Sequence, residues 1–208
     1  MELQRQSIRD PAVPSAIRAL AVEVWRRAEA MGLVKPDSSP QPLTATSDIV
    51  RLVRHIRDVG IARQPALRFD NVEVPSPAEV ASLLRMIIEA LEASPVAKYE
   101  WPAVSRVFEP EQLASLLGIS VSSLRRYLGG ARDTPDDVAA RLHFLALITG
   151  DLAGAYNEVG IRRWFDRKRT ALDGKTPAAW LSGEWNPDSP GPQKVRALAQ
   201  SLVALSGT

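Results

Sequence analysis

The alternation of apolar and polar positions makes this chain a succession of helices. Over residues 15–31, Ile17, Leu20, Ala21, Val24, Ala28 and Met31 form one apolar stripe, and Gly32 supplies the stop. The prolines and serines of residues 34–44 then deny the chain helix and make a semi-rigid spacer. A second helix, residues 47–59, sets Ile49, Leu52, Val53 and Ile56 on one side. Its Arg51, Arg54, His55 and Arg57 read as a solvated charged face in preference to a phosphate contact. Residues 60–75 fit a short extended hairpin, with Asp70-Asn71 as its turn and β-branched residues after it. Ser76 opens the next helix, with Pro77 in its first turn and Glu79 completing a capping box. Val80, Leu83, Leu84, Ile87, Ile88 and Leu91 give that helix a face broad enough for a core or a second subunit, and Ser94-Pro95 closes it. Residues 98–108 predict a short helix plus connector.

Residues 110–129, PEQLASLLGISVSSLRRYLG, organise the rest and predict a helix-turn-helix. Leu113, Ala114, Leu116 and Leu117 line one short helix, which Gly118 ends in the left-handed conformation. Ile119 points back into the core. Ser120 caps a second helix, residues 121–128, whose buried face is Leu124 and Tyr127. Ser120, Val121, Ser122, Ser123, Arg125 and Arg126 are left on its outer side as candidate DNA contacts. Small polar residues at its N-terminus let such a helix sit deep in a major groove, and arginines reach guanine edges or phosphates. Two amphipathic helices with a solvated basic tip are the plain alternative.

After Gly129-Gly130, an acidic first turn, Thr134-Pro135-Asp136-Asp137, starts a long helix with Val138, Leu142, Leu145 and Ile148 inside and Gly150 as its expected end. His143 within it reads as a core or boundary histidine. Beyond it, Ile161, Trp164 and Phe165 read as buried anchors beside a cationic cluster, Arg162, Arg163, Arg167, Lys168 and Arg169. Trp and Arg together are also what a protein-binding hot spot is made of. The Gly174-Lys175-Thr176-Pro177 turn leads to a short helix with Trp180 and Leu181. A Pro/Gly-rich loop and a last helix over about residues 193–204 follow, with Val195, Leu198, Leu202 and Val203 inside.

Composition narrows the chemistry. With 208 residues, 45% hydrophobic and 24% charged, the chain has the make-up of a globular protein. Its 26 basic and 24 acidic residues leave a net charge of +2, so any nucleic-acid affinity must come from local charge. The absence of cysteine removes disulfides, thiolate nucleophiles and zinc-thiolate sites, and fits a reducing cytoplasm. Residues 1–10 lack a signal-peptide pattern, and no apolar run approaches membrane-spanning length. GKT at Gly174–Thr176 lacks the preceding spacing and strand of a P-loop, and no metal cluster or nucleophile–base spacing stands out. A cofactor-free, non-enzymatic protein is expected.

A helix-turn-helix, a long helix, and then a tryptophan followed by L-x-G-K-T-P-x-x-x-L resembles the Xre/MbcA/ParS antitoxins. The matching residues are Trp164, Leu172, Gly174, Lys175, Thr176, Pro177 and Leu181, and the resemblance spans roughly residues 105–205. It implies an antitoxin that neutralises an NAD-consuming RES-domain toxin and represses its own operon as a dimer or higher oligomer. On that reading Arg162, Arg163, Trp164, Arg167, Lys168, Arg169 and Lys175 face the toxin. The first hundred residues have no counterpart in the short family members. The alternative is a stand-alone helix-turn-helix regulator whose C-terminal part serves oligomerisation. The expectation is therefore all-α, with an N-terminal helical module (1–97), a DNA-binding domain (98–150) and a toxin-binding-like domain (151–208).

Overall fold

The computed structural model describes residues 13–35, 43, 45–71 and 76–206. Among these the backbone forms eleven α-helices, one 3-10 turn and no strand, so the chain is all-α. The N-terminal decapeptide, most of the proline-rich spacer, Val72–Pro75, the side chain of Val203 and the tail from Gly207 lie outside the described residues. The chain divides into two compact units, residues 1–25 with 37–90 and residues 26–36 with 91–208.

The first unit holds the start of α1 (Ser15–Ala30), then α2 (Thr46–Asp58), α3 (Arg63–Asn71) and most of α4 (Pro77–Glu92). The predicted stripes are the buried ones: Ile17, Ala21 and Val24 on α1, Ile49, Leu52, Val53 and Ile56 on α2, and Val80, Leu83, Leu84 and Ile87 on α4. Where a hairpin was expected, α3 stands instead. Gly60 and Ala62, both at positive φ, turn the chain after α2. Pro65 then occupies the third helical position, where its missing N–H has no intrahelical partner to lose. Ala66 is buried behind it.

The Ser76–Glu79 capping box closes as expected: the Ser76 N–H donates to Glu79 Oε2 at 2.8 Å, and the Glu79 N–H donates to Ser76 Oγ at 3.3 Å. The Ser76 hydroxyl and N–H both donate to the Glu79 carboxylate and hold its pKa below the ordinary value. A lowered acid stabilises the fold above its unfolded pKa, and that contribution fades as pH falls through the folded one. The stability gap between wild type and Glu79→Gln, read from urea midpoints, is therefore expected at pH 7 and should shrink below about pH 4.3.

The second unit is built around α8 (Asp136–Leu152), in which every residue from Arg141 to Leu152 is buried. It packs on α5 (Ala97–Val107) and on α11 (Pro190–Ser206), with α6 (Pro110–Leu117) also against it. The expected short helix and connector are one helix, α5, running unbroken through Pro102, whose ring is exposed. Gly150 does not end α8. A Cβ there would lie 3.0 Å from the Ala30 Cβ and 3.4 Å from the Arg26 carbonyl, so this glycine serves a close crossing with the end of α1.

Several charged side chains inside the unit are paired. His143 lies 2.9 Å from the Glu92 carbonyl through Nε2 and 2.6 Å from Glu100 Oε1 through Nδ1. A carbonyl only accepts, so Nε2–H is the donor to Glu92. Arg27 reaches Glu92 at 3.0 Å and Asp151 at 3.6 Å, and Arg196 reaches Glu92 at 2.8 Å. The histidine is thus a core residue tying α8 to α5 and the end of α4.

Candidate nucleic-acid interface

Helices α6 and α7 (Val121–Leu128) form the expected pair. Pro110 stands at the start of α6, and Leu113, Ala114, Leu116 and Leu117 are all buried. Gly118 takes φ 66° and ψ 33°, and the next N–H, of Ile119, donates to the Ala114 carbonyl at 3.0 Å. Ile119 is half-buried. Ser120 caps α7 by accepting from the Ser123 N–H at 3.1 Å. Its hydroxyl also lies 2.9 Å from that of Ser122 and 3.0 Å from that of Ser123. Leu124 and Tyr127 are buried, and Tyr127 stacks on Trp101 at 5.9 Å.

The outward side of α7 is open. Ser120, Ser122, Arg125 and Arg126 are exposed, while Val121 and Ser123 are half-buried. Arg126 Nε–H donates to the Ser122 carbonyl at 3.3 Å, which lays its guanidinium along the helix towards the serines. Neither Arg125 nor Arg126 has a carboxylate partner among the described residues. Sequence reasoning passed over Arg132, exposed in the loop after α7, whose guanidinium sits 5.8 Å from the Tyr127 ring centre. From Gln112 to Arg132 the chain carries no carboxylate, the signal that would have drawn it in. Three arginines and a hydroxyl cluster on one exposed element make a local positive surface on a chain of nearly balanced charge.

The cationic cluster expected on α9 (Glu158–Phe165) and after it divides in two. Arg163, Arg167, Lys168 and Lys175 are exposed. Arg162 turns inward, donating to the Val107 carbonyl at 3.1 Å, and lies 3.6 Å from Glu109. Arg169 lies over the Trp164 ring, 5.5 Å from its centre. Trp164 itself is 1% exposed, which corrects its assignment as a direct partner contact: its ring is core, edge-on to Phe165. The tryptophan-to-leucine motif is mainly a folding element, since Leu172 and Leu181 are also fully buried. Its turn is closed by the Arg169 N–H on the Lys175 carbonyl and the Gly174 N–H on the Arg169 carbonyl, both 3.0 Å. Thr176 caps α10 (Pro177–Trp180) through the Ala179 N–H.

The loop after α10, read from sequence only as a Pro/Gly-rich connector, braces the helix-turn-helix. Trp185 Nε1–H donates at 2.8 Å to the Leu116 carbonyl, one of the last carbonyls of α6, which have no intrahelical donor. The Gly183 carbonyl oxygen would lie 2.2 Å from a Cβ on Gly118. Gly118→Ala therefore meets both a positive φ and a backbone clash. It is expected to cost at least about 1–2 kcal/mol in chemical denaturation. An unchanged midpoint would show that this loop does not press on the turn.

Among the described residues no group of three His, Cys, Asp or Glu side chains is placed to hold a metal ion, and no helix is long and apolar enough to cross a membrane. No family model, curated protein or solved structure matches this chain.

Proposed function

We propose that this chain is a sequence-specific DNA-binding repressor that inserts α7 into the major groove, with a second copy reading a symmetric half-site. The observation that carries this reading is the open outer face of α7. Its serine-rich start is slim enough to approach base edges, and Arg125 and Arg126 meet no acid among the described residues. A recognition helix needs its buried side fixed and its outer side unencumbered, and Leu124, Tyr127 and the Ser120 cap fix this one. Selection of binding sites from random duplexes by the full chain should return palindromes with half-sites about one helical turn apart. Failure to enrich any sequence would remove the reading.

Within that reading we place the protein as an antitoxin that represses its own operon and neutralises a RES-domain toxin. This rests on the resemblance of residues Trp164 to Leu181. With Trp164 inside, the surface offered to a toxin reduces to Arg163, Arg167, Lys168 and Lys175. Reversing the charge of Arg163, Arg167 and Lys168 together is expected to lower co-purification of a RES-domain protein about tenfold and leave operator binding within about twofold. Retained capture by the reversed variant would move the toxin contact off these residues, and no capture by the wild type would favour a stand-alone regulator.

A further inference from the structure

Helix α5 carries its one acid inward. Glu100 is fully buried against His143, so the charges on the exposed side of α5 are cations. Lys98, Pro102 and Arg106 recur every four residues and are all exposed. That spacing puts both cations on one face, about 12 Å apart along the helix axis. The face runs on to the end of α7. A cleft of about 460 Å³ between them is lined by Lys98, Pro102, Leu128 and Arg132, with the stacked Trp101 and Tyr127 rings beneath. A second cleft, of about 150 Å³, shares Lys98 and Pro102 and adds Lys35 and Arg106. Along the two clefts four cations meet one carboxylate, Asp133. Lys98, Arg106 and Arg132 enter no ion pair among the described residues.

Packing fixes this band relative to α7. Tyr127 of α7 stacks on Trp101 of α5, and Trp101 Nε1–H donates to Thr134 Oγ1 at 2.8 Å, which pins the loop bearing Arg132. Leu128, 41% exposed, comes three residues after Arg125, so the band begins beside the candidate base contacts. A helix lying in the major groove has a phosphate strand along each side of it. Such a strand carries a charge about every 3.4 Å, so Lys98 and Arg106 together span about three to four phosphates. We infer that Lys98, Arg106 and Arg132, with Lys35 beyond them, hold the phosphate strand bordering the groove that α7 enters, outside the base pairs that α7 reads. This inference rests on the DNA-binding reading and adds to it a sequence-independent grip contributed by α5.

Titration of the full chain against its selected operator and a scrambled duplex, at several salt concentrations, tests it. Lys98→Gln combined with Arg106→Gln should weaken both duplexes alike, by at least about tenfold at about 50 mM salt, and lower the salt slope by about two. Preference for the operator over the scrambled duplex should stay within about twofold of wild type. Hydroxyl-radical footprinting should find about three to four backbone positions per half-site protected by wild type and open in the variant. Arg163→Gln combined with Arg167→Gln removes the same charge from another exposed surface and should change neither affinity nor slope. All four side chains are exposed, so the urea midpoints should agree. A wild type that binds no duplex would remove the DNA-binding reading and this inference with it. Wild-type slope and footprint in the α5 variant of a protein that does bind its operator would overturn this inference alone. An equal loss in the Arg163/Arg167 variant would do the same, by reducing the effect to net charge. So would unchanged DNA binding with lost capture of a protein partner, which would make the band a protein-docking surface.

Discussion

Replacing Arg125 and Arg126 together by alanine is expected to abolish preference for the selected operator while leaving the fold intact. Each arginine placed on a base edge is worth about 1–3 kcal/mol of discrimination, roughly a tenfold to hundredfold change in affinity per side chain. If one of them meets phosphate instead, its loss weakens all duplexes alike and lowers the salt slope by about one. Both side chains are exposed and neither supports the core, so circular dichroism and the urea midpoint should barely move. Titrations at two salt concentrations separate the two roles. Wild-type affinity and an unchanged salt slope in the double variant would take DNA recognition away from α7.

The second large effect concerns stability. Trp164→Ala removes one of the largest fully buried side chains and should cost about 3–5 kcal/mol. Its ring contacts Phe165 and supports the Arg169 guanidinium, so the lost packing is shared by α9 and the turn that follows. Its indole N–H has no acceptor, so Trp164→Phe forfeits packing but no hydrogen bond and should cost distinctly less. Urea denaturation of the three proteins gives the ordering. A variant as stable as wild type but unable to bind a partner would restore the tryptophan to the surface.

The parts legible in the sequence were those whose local signals agree with burial. The stripes of α1, α2 and α4, the Ser76–Glu79 box, and the glycine and serine of the helix-turn-helix each combine apolar period with a cap. Residues 63–71 misled because the β-branched pair beyond Asn71 suggested strands, while Arg63 to Arg68 are mostly ordinary helix formers around a proline at a harmless position. Gly150 carried the usual sign of a helix end, but its partner is Ala30, more than a hundred residues away, and no local pattern reports such a crossing. The site followed the same division. The outer face of α7 could be derived from helical period alone. The burial of Trp164 agrees with its reading as an anchor, whereas the inward turn of Arg162 and the anchoring of Trp185 depend on which distant carbonyl each meets.

The unit that carries α7 is assembled from two separated stretches, 26–36 and 91–208. Met31, Leu33 and Val34 are buried in the short one, and a Cβ on Gly32 would strike the Tyr99 carbonyl at 2.2 Å. A fragment cut to begin at residue 98 would thus lack a wall of its own interior, however complete its helix-turn-helix looks on paper. Anyone seeking a minimal piece that carries α7 must splice the early stretch back on, and during synthesis that stretch has to wait some sixty residues for the helix it covers.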